Sequence, residues 1–214
     1  DQMLFYLPLS GSSFKKIYYD STMGRAVSKF IPSEDLVVPY TATDLATADR
    51  VTHILKRTEN DIRKLQVQGF YRDVDLQEFE DPETNNIQAE VNKLDGVKET
   101  GNGYKNDQYT LLEIHVDLDL PGFEDPDGIK LPYIVTIDEG SGNVLSVYRN
   151  YDEEDSLKKK KQYFVHYKFL PGLGFYGYGL IHMLGGLSRT ATAALRQLLD
   201  AGTLANLPAG FKAR

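Results

Sequence analysis

The chain has 214 residues, a length that predicts one large domain or two small ones and permits a sizeable core. It has no Cys and no apolar run near the roughly 18 residues needed to cross a bilayer, which excludes disulfides, thiolate nucleophiles, Cys-ligated metals and insertion of an apolar helix into a membrane. A net charge of -7 argues against a dedicated nucleic-acid binder that neutralises many phosphates.

That charge is unevenly spread. Residues 156–214 carry nine Lys or Arg against one Asp, a net of +8, so residues 1–155 hold -15. Such asymmetry predicts that different ends of the molecule meet different partners. The chain starts on Asp1, and residues 3–7 are too short and lack the basic flank of a signal peptide, so the sequence reads as an excerpt of a longer protein.

The first forty residues read as short strands joined by turns. Residues 14–19 and 27–31 flank turn chemistry at 20–24 and predict a hairpin. Residues 50–57 are strand-like, with Thr58 as helix N-cap, Asp61 in the first turn, Ile62 and Leu65 on one face and Gly69 as the stop. Residues 73–83 hold six acids and no base. After them, Ile87, Val91 and Leu94 fall at helical spacing and predict a surface helix ended by Gly101 and Gly103. Residues 109–120 alternate, with Leu112, Ile114, Val116 and Leu118 on one face and Glu113, His115 and Asp117 on the other, the clearest strand in the chain. Residues 132–137 and 144–148 predict a hairpin around the turn at 138–143, and 163–170 a further strand. Leu180, Leu184, Leu187, Ala191, Ala194 and Leu198 recur at helical spacing and predict a long helix over 179–201, stopped at Gly202. The reading is an α+β fold: mostly antiparallel strands and hairpins, two or three short helices and one long C-terminal helix.

Gly172, Gly174 and Gly177 form G-x-G-x-x-G between a predicted strand and a predicted helix, where a dinucleotide pyrophosphate could meet helix N-terminal amides. The preceding strand is half polar, unlike a central parallel strand, and no apolar strand ending in a ribose-binding acid follows. These glycines therefore read as a structural turn, and a nucleotide-binding enzyme using them is the alternative function. Asp117, Asp119, Glu124, Asp125 and Asp127 resemble a calcium loop, but Phe123 and Ile134 occupy the positions where an EF-hand needs acids, which leaves a solvated acidic loop. The four histidines, His53, His115, His166 and His182, lack metal-ligand spacing. No serine-hydrolase or phosphate-loop motif occurs, so no catalytic residue, cofactor site or metal site is assigned. Lys158, Lys159, Lys160 and Lys161 read as a solvated run balanced by Asp152–Asp155, or as a contact for DNA or an acidic partner. Gly185, Ser188 and Thr192 make a small-residue stripe that allows a neighbouring subunit to approach.

Four segments carry a family resemblance: residues 3–19 (MLFYLPLSGSSFKKIYY), 31–40 (IPSEDLVVPY), 50–76 (RVTHILKRTENDIRKLQVQGFYRDVDL) and 165–214, the last being the most specific. They resemble portal proteins of tailed bacteriophages, in the short-tailed branch. The resemblance implies that residues 1–214 form a single wing-type region, with the clip and remaining stem outside it. It further implies a dodecameric ring of this subunit at a capsid vertex of the virion, assembled in the host bacterial cytoplasm. Implied partners are the terminase, capsid or scaffold proteins, tail or head-completion proteins and transient non-specific double-stranded DNA. No membrane partner and no covalent chemistry are implied.

Overall fold

A computed structural model describes residues 1–20, 23–74, 76 and 108–206. The helix expected around Ile87, Val91 and Leu94, and most of the acidic run at 73–83, lie outside the described residues. The chain forms two compact units, Asp1–Ser33 with Phe164–Arg214, and Glu34–Tyr163. The fold is mixed α+β with mostly antiparallel strands.

The first unit opens with helix α1, Gln2–Ser10, where the sequence suggested short strands. Tertiary contact and a C-cap override local propensity here. Tyr6 meets the Phe30 ring edge-on at 5.6 Å, and Gly11 takes a left-handed φ of 88° while its N–H bonds Leu7 O at 2.9 Å. Strands β1, Ser12–Asp20, and β2, Arg25–Ile31, form the predicted hairpin.

A 3₁₀ turn, Ser33–Asp35, leads into the second unit, which starts with β3, Leu36–Val37, and then β4, Arg50–Thr58. Helix α2, Glu59–Val67, starts as read from the sequence, with the Asp61 N–H bonding the Thr58 hydroxyl at 3.3 Å. Strand β5, Gln108–Leu118, is followed by β6, Leu131–Asp138, and β7, Val144–Arg149, in the sheet order β3-β4-β5-β6-β7. The β6–β7 turn closes because Asp138 Oδ2 accepts from the Ser141 N–H and hydroxyl, at 3.0 and 2.6 Å.

The face of β5 that alternation marks as polar is covered from Leu111 to His115 and opens to solvent only at Asp117. Leu111 on it is fully buried with Leu55, Ile62, Tyr71 and Leu145, and Glu113 and His115 are covered and joined at 2.9 Å. A register shift between Thr136 and Ile137 lets Leu145 join that cluster, while Val144 packs with Leu131, Tyr133 and Val135 in a second cluster.

Back in the first unit, β8, Phe164–Lys168, pairs antiparallel with β1 to give the order β2-β1-β8. Helix α3, Leu180–Asn206, follows. It runs past Gly202, the expected stop. A helical Gly costs on the order of 1 kcal/mol against Ala, too little to end a helix whose Thr203 hydroxyl bonds Leu199 O at 2.8 Å.

Candidate interaction surfaces

The glycine run lies after β8, an edge strand paired antiparallel with β1, so the parallel strand-to-helix crevice that holds a dinucleotide is not formed here. Its glycines serve close backbone approach instead. A Cβ on Gly177 would fall closer than 3.0 Å to Gly11 O and Leu170 O, and one on Gly172 would meet Tyr176 O as closely. Gly179 and Gly11 are equally crowded against each other's segments, whereas Gly174 faces open space. The Gly177 N–H bonds the buried Ser12 hydroxyl at 2.8 Å, and the Phe169 N–H bonds Gly11 O at 3.0 Å. These bonds tie the C-cap of α1 to the approach to α3.

Beside that junction the His166 ring packs against Phe14 (4.4 Å) and Phe175 (4.8 Å), which also meet each other at 5.9 Å, with His166 Nε2 3.2 Å from Ser12 Oγ. Burial, with repulsion from Lys168 second, pushes its pKa from 6.5 to about 4. The unfolded chain binds this proton near 6.5 and the folded chain only near 4. The contribution to stability is therefore complete above pH 6.5 and is lost as pH falls toward 4. Each unit between two pKa values is worth about 1.4 kcal/mol, and solvent reaching the part-exposed ring reduces the total to on the order of 1–2 kcal/mol. Urea denaturation across that window should show the loss, and His166→Phe should flatten it; an equally steep profile in the variant would rule out His166 as the source.

Helix α3 presents its apolar stripe bare, and none of its residues is buried. Leu187, Leu195, Leu198 and Leu199 are each at least 61% exposed, far beyond what an amphipathic surface helix leaves uncovered. On the same helix, Gly185, Ser188 and Thr192 line a shallow groove with Arg189, Ala193 and Arg196. Space for a close neighbour is open there, since nothing lies within 4 Å of a Cβ added at Gly185.

The lysine run is partly committed within the second unit. Lys158 pairs with Asp125, 33 residues away, and not with the adjacent acids as its sequence position suggested. The reason is backbone geometry. Asp155 receives the Leu157 and Lys159 N–H groups at 3.1 and 3.2 Å and bends the chain, leaving Lys158 at a left-handed φ of 45°. Lys160 Nζ bonds Ala48 O at 2.8 Å, while Lys159 and Lys161 stay exposed. Asp125 is correspondingly buried, although its neighbours Glu124 and Asp127 are exposed.

The Lys158 ammonium, aided by the Asp127 N–H, holds the Asp125 carboxyl below its ordinary range, and the pair raises Lys158 in turn. The pair therefore contributes above the ordinary carboxylate pKa and fades as pH falls through the lowered value. Asp125→Asn should lower the melting temperature at about pH 7 and approach wild type near pH 3 or below; a pH-independent difference in calorimetry would contradict the pair's role. Among the described residues no group of three or more His, Asp or Glu is placed to hold a metal ion, and no helix is long and apolar enough to cross a membrane.

Gly11, Gly179, Asp125 and the Phe14–His166–Phe175 stack were not singled out by sequence as one junction or pair, because each acquires its meaning from a partner distant in the chain. Among the described residues, a helix of 27 residues leaves its leucines exposed, an apolar surface of the kind that marks interaction sites. Residues 14–211 match the family model described as Phage SU10 portal protein. The chain belongs to that portal protein family, a structural family of the phage head whose members assemble as oligomers in the virion. No curated protein matches it.

Proposed function

We propose that this chain is a structural subunit of a closed portal ring at one capsid vertex, a conduit for DNA packaging and ejection and a platform for terminase and tail attachment, with no bond-making of its own. The observation that carries the reading is the family match over residues 14–211; the unburied length of α3 supports it. Covering a Leu side chain stabilises by about 1.5–3 kcal/mol, so the bare stripe supplies a strong drive for packing against neighbours. Gly185, Ser188 and Thr192 would then receive a neighbouring copy's bulkier residues, as small positions do in close helix packing. The exposed Lys159 and Lys161 would meet DNA or an acidic partner. A net acidic chain suits a conduit, because a wall that neutralised many phosphates would hold DNA instead of letting it slide.

Electron microscopy and light scattering on the intact protein should show a closed annulus of about twelve copies, as expected of identical subunits joined head to tail through a rotation that closes. A strictly monomeric protein, or turnover of a nucleotide bound near Gly172, would defeat the reading.

A further inference from the structure

β7 is an outer strand of the five-stranded sheet, and its free edge is only partly covered. The Arg72 N–H bonds Leu145 O at 2.8 Å on that edge. On the inner side the Asn150 N–H bonds Pro132 O at 2.9 Å, and the register sets Arg149, Tyr148 and Val147 across from Tyr133, Ile134 and Val135. Along an antiparallel strand, residues that bond the partner alternate with residues whose backbone groups point away from it. Counting back from Asn150, Arg149 and Val147 point outward, and among the described residues nothing pairs with the outward N–H and C=O of Val147.

A cleft of about 360 Å³ lies along this edge, between residues 69–72 and β7. Phe70 and Tyr148 wall it, their rings stacked at 4.9 Å and fixed by the Tyr148 hydroxyl, which donates to Phe70 O at 2.5 Å. Ser146 also lines the cleft; it is only 6% exposed, and its hydroxyl has no hydrogen-bond partner among the described residues. A ligand with backbone donors and acceptors satisfies both this hydroxyl and the open strand edge, groups that are costly to leave unpaired.

The other outer strands are guarded against such additions. β2 carries Arg25 and Lys29, β8 carries Lys168, and β3 has two residues. β7 has no Lys or Pro, and its one charge, Arg149, pairs with Glu153.

We propose that the outer edge of β7 accepts an extended, acidic segment of a partner protein as a short added strand. Val147 exchanges both backbone bonds with it, alternate side chains rest on the Phe70–Tyr148 stack, and an acid meets Arg72. The charge follows from Arg72, which lines the cleft and is exposed, with no acid paired to its guanidinium among the described residues. A loose segment fits better than the sheet edge of a second copy, because Arg72 closes the edge at Leu145 and leaves open only the stretch from Val147 to Arg149. The site lies wholly in the second unit and does not depend on ring formation.

The test titrates the intact protein into a fluorescein-labelled, end-blocked peptide of alternating Val and Thr preceded by two Asp, read by anisotropy. Binding should saturate. Methylating every second backbone nitrogen of the peptide leaves its side chains in place; of the two alternate sets, the one facing β7 should weaken binding about tenfold, the worth of one or two hydrogen bonds, and the other should not. Val147→Pro removes the outward N–H without touching a bond to β6, which an edge strand tolerates, and should weaken binding similarly. Arg72→Glu, at an exposed position, should weaken it about fivefold at low salt and less at high salt. Circular dichroism checks that each variant is folded. No saturable binding, equal binding of the two methylated peptides, or unchanged binding in folded Val147→Pro and Arg72→Glu overturns the proposal. Oligomers that are lost in Val147→Pro overturn it in favour of a second copy on this edge. None of these peptide results bears on the portal reading, which stands or falls on the annulus.

Discussion

Gly11→Ala should unfold the first unit under conditions in which wild type is stable, with a loss on the order of 3–5 kcal/mol. Two costs combine. A φ of 88° places any Cβ in the left-handed region, which costs roughly 1–2 kcal/mol, and that Cβ would lie closer than 3.0 Å to backbone atoms of Gly177, Tyr178 and Gly179. Backbone cannot swing aside as a flexible side chain does, so relief requires the C-cap of α1 to separate from the approach to α3. Gly24→Ala is the internal control: φ is 62° there and nothing lies within 4 Å of the added atom, so only the conformational cost of roughly 1–2 kcal/mol remains. The chain has no Trp, so urea unfolding is best followed by circular dichroism. If the two variants lost similar stability, steric interlock at Gly11 would be wrong.

What the sequence displays and what it conceals divide along the distance between partners. Period-two alternation placed β5, the turn at 138–143 placed the β6–β7 hairpin, and Thr58 with Asp61 placed the start of α2, because in each case the deciding contacts are local. Helix α1 was illegible: its order comes from Tyr6 on Phe30 and from the Gly11 cap, and nothing in residues 2–10 announces either. Alternation also could not show that the polar face of β5 is covered around Glu113 and His115, because that cover comes from Leu111 on the same face packing with Ile62 of α2.

The candidate surfaces follow the same rule. Leucine spacing announced α3, yet spacing alone cannot say whether a stripe faces a core or stands bare. Gly172 and Gly177 were visible as a glycine run, but Gly11, which explains the crowding at Gly177, is more than 160 residues away in sequence. Lys158 was visible as one charge in a run of four; that it alone turns to Asp125 depends on the bend set by Asp155.

Phe14→Ala should cost about 3–5 kcal/mol, the range for truncating a fully buried aromatic whose surroundings relax only in part. Phe14 is 0% exposed and meets two rings, His166 at 4.4 Å and Phe175 at 5.9 Å. Removing it also admits water to one face of the imidazole, and burial is the leading cause of the low His166 pKa. That pKa should therefore climb from about 4 toward 6.5, and the interval over which acid destabilises the fold should narrow with it. Both effects have one origin, so they should scale together: Phe14→Leu, which keeps most of the apolar bulk, should lose less stability and keep most of the pKa depression. Nuclear magnetic resonance titration of the four histidines, assigned with His166→Phe, reads the pKa while urea unfolding reads the stability. A His166 resonance that still titrates near 4 in a folded Phe14→Ala protein would show that the stack does not set its protonation, and that the acid sensitivity of this unit has another source.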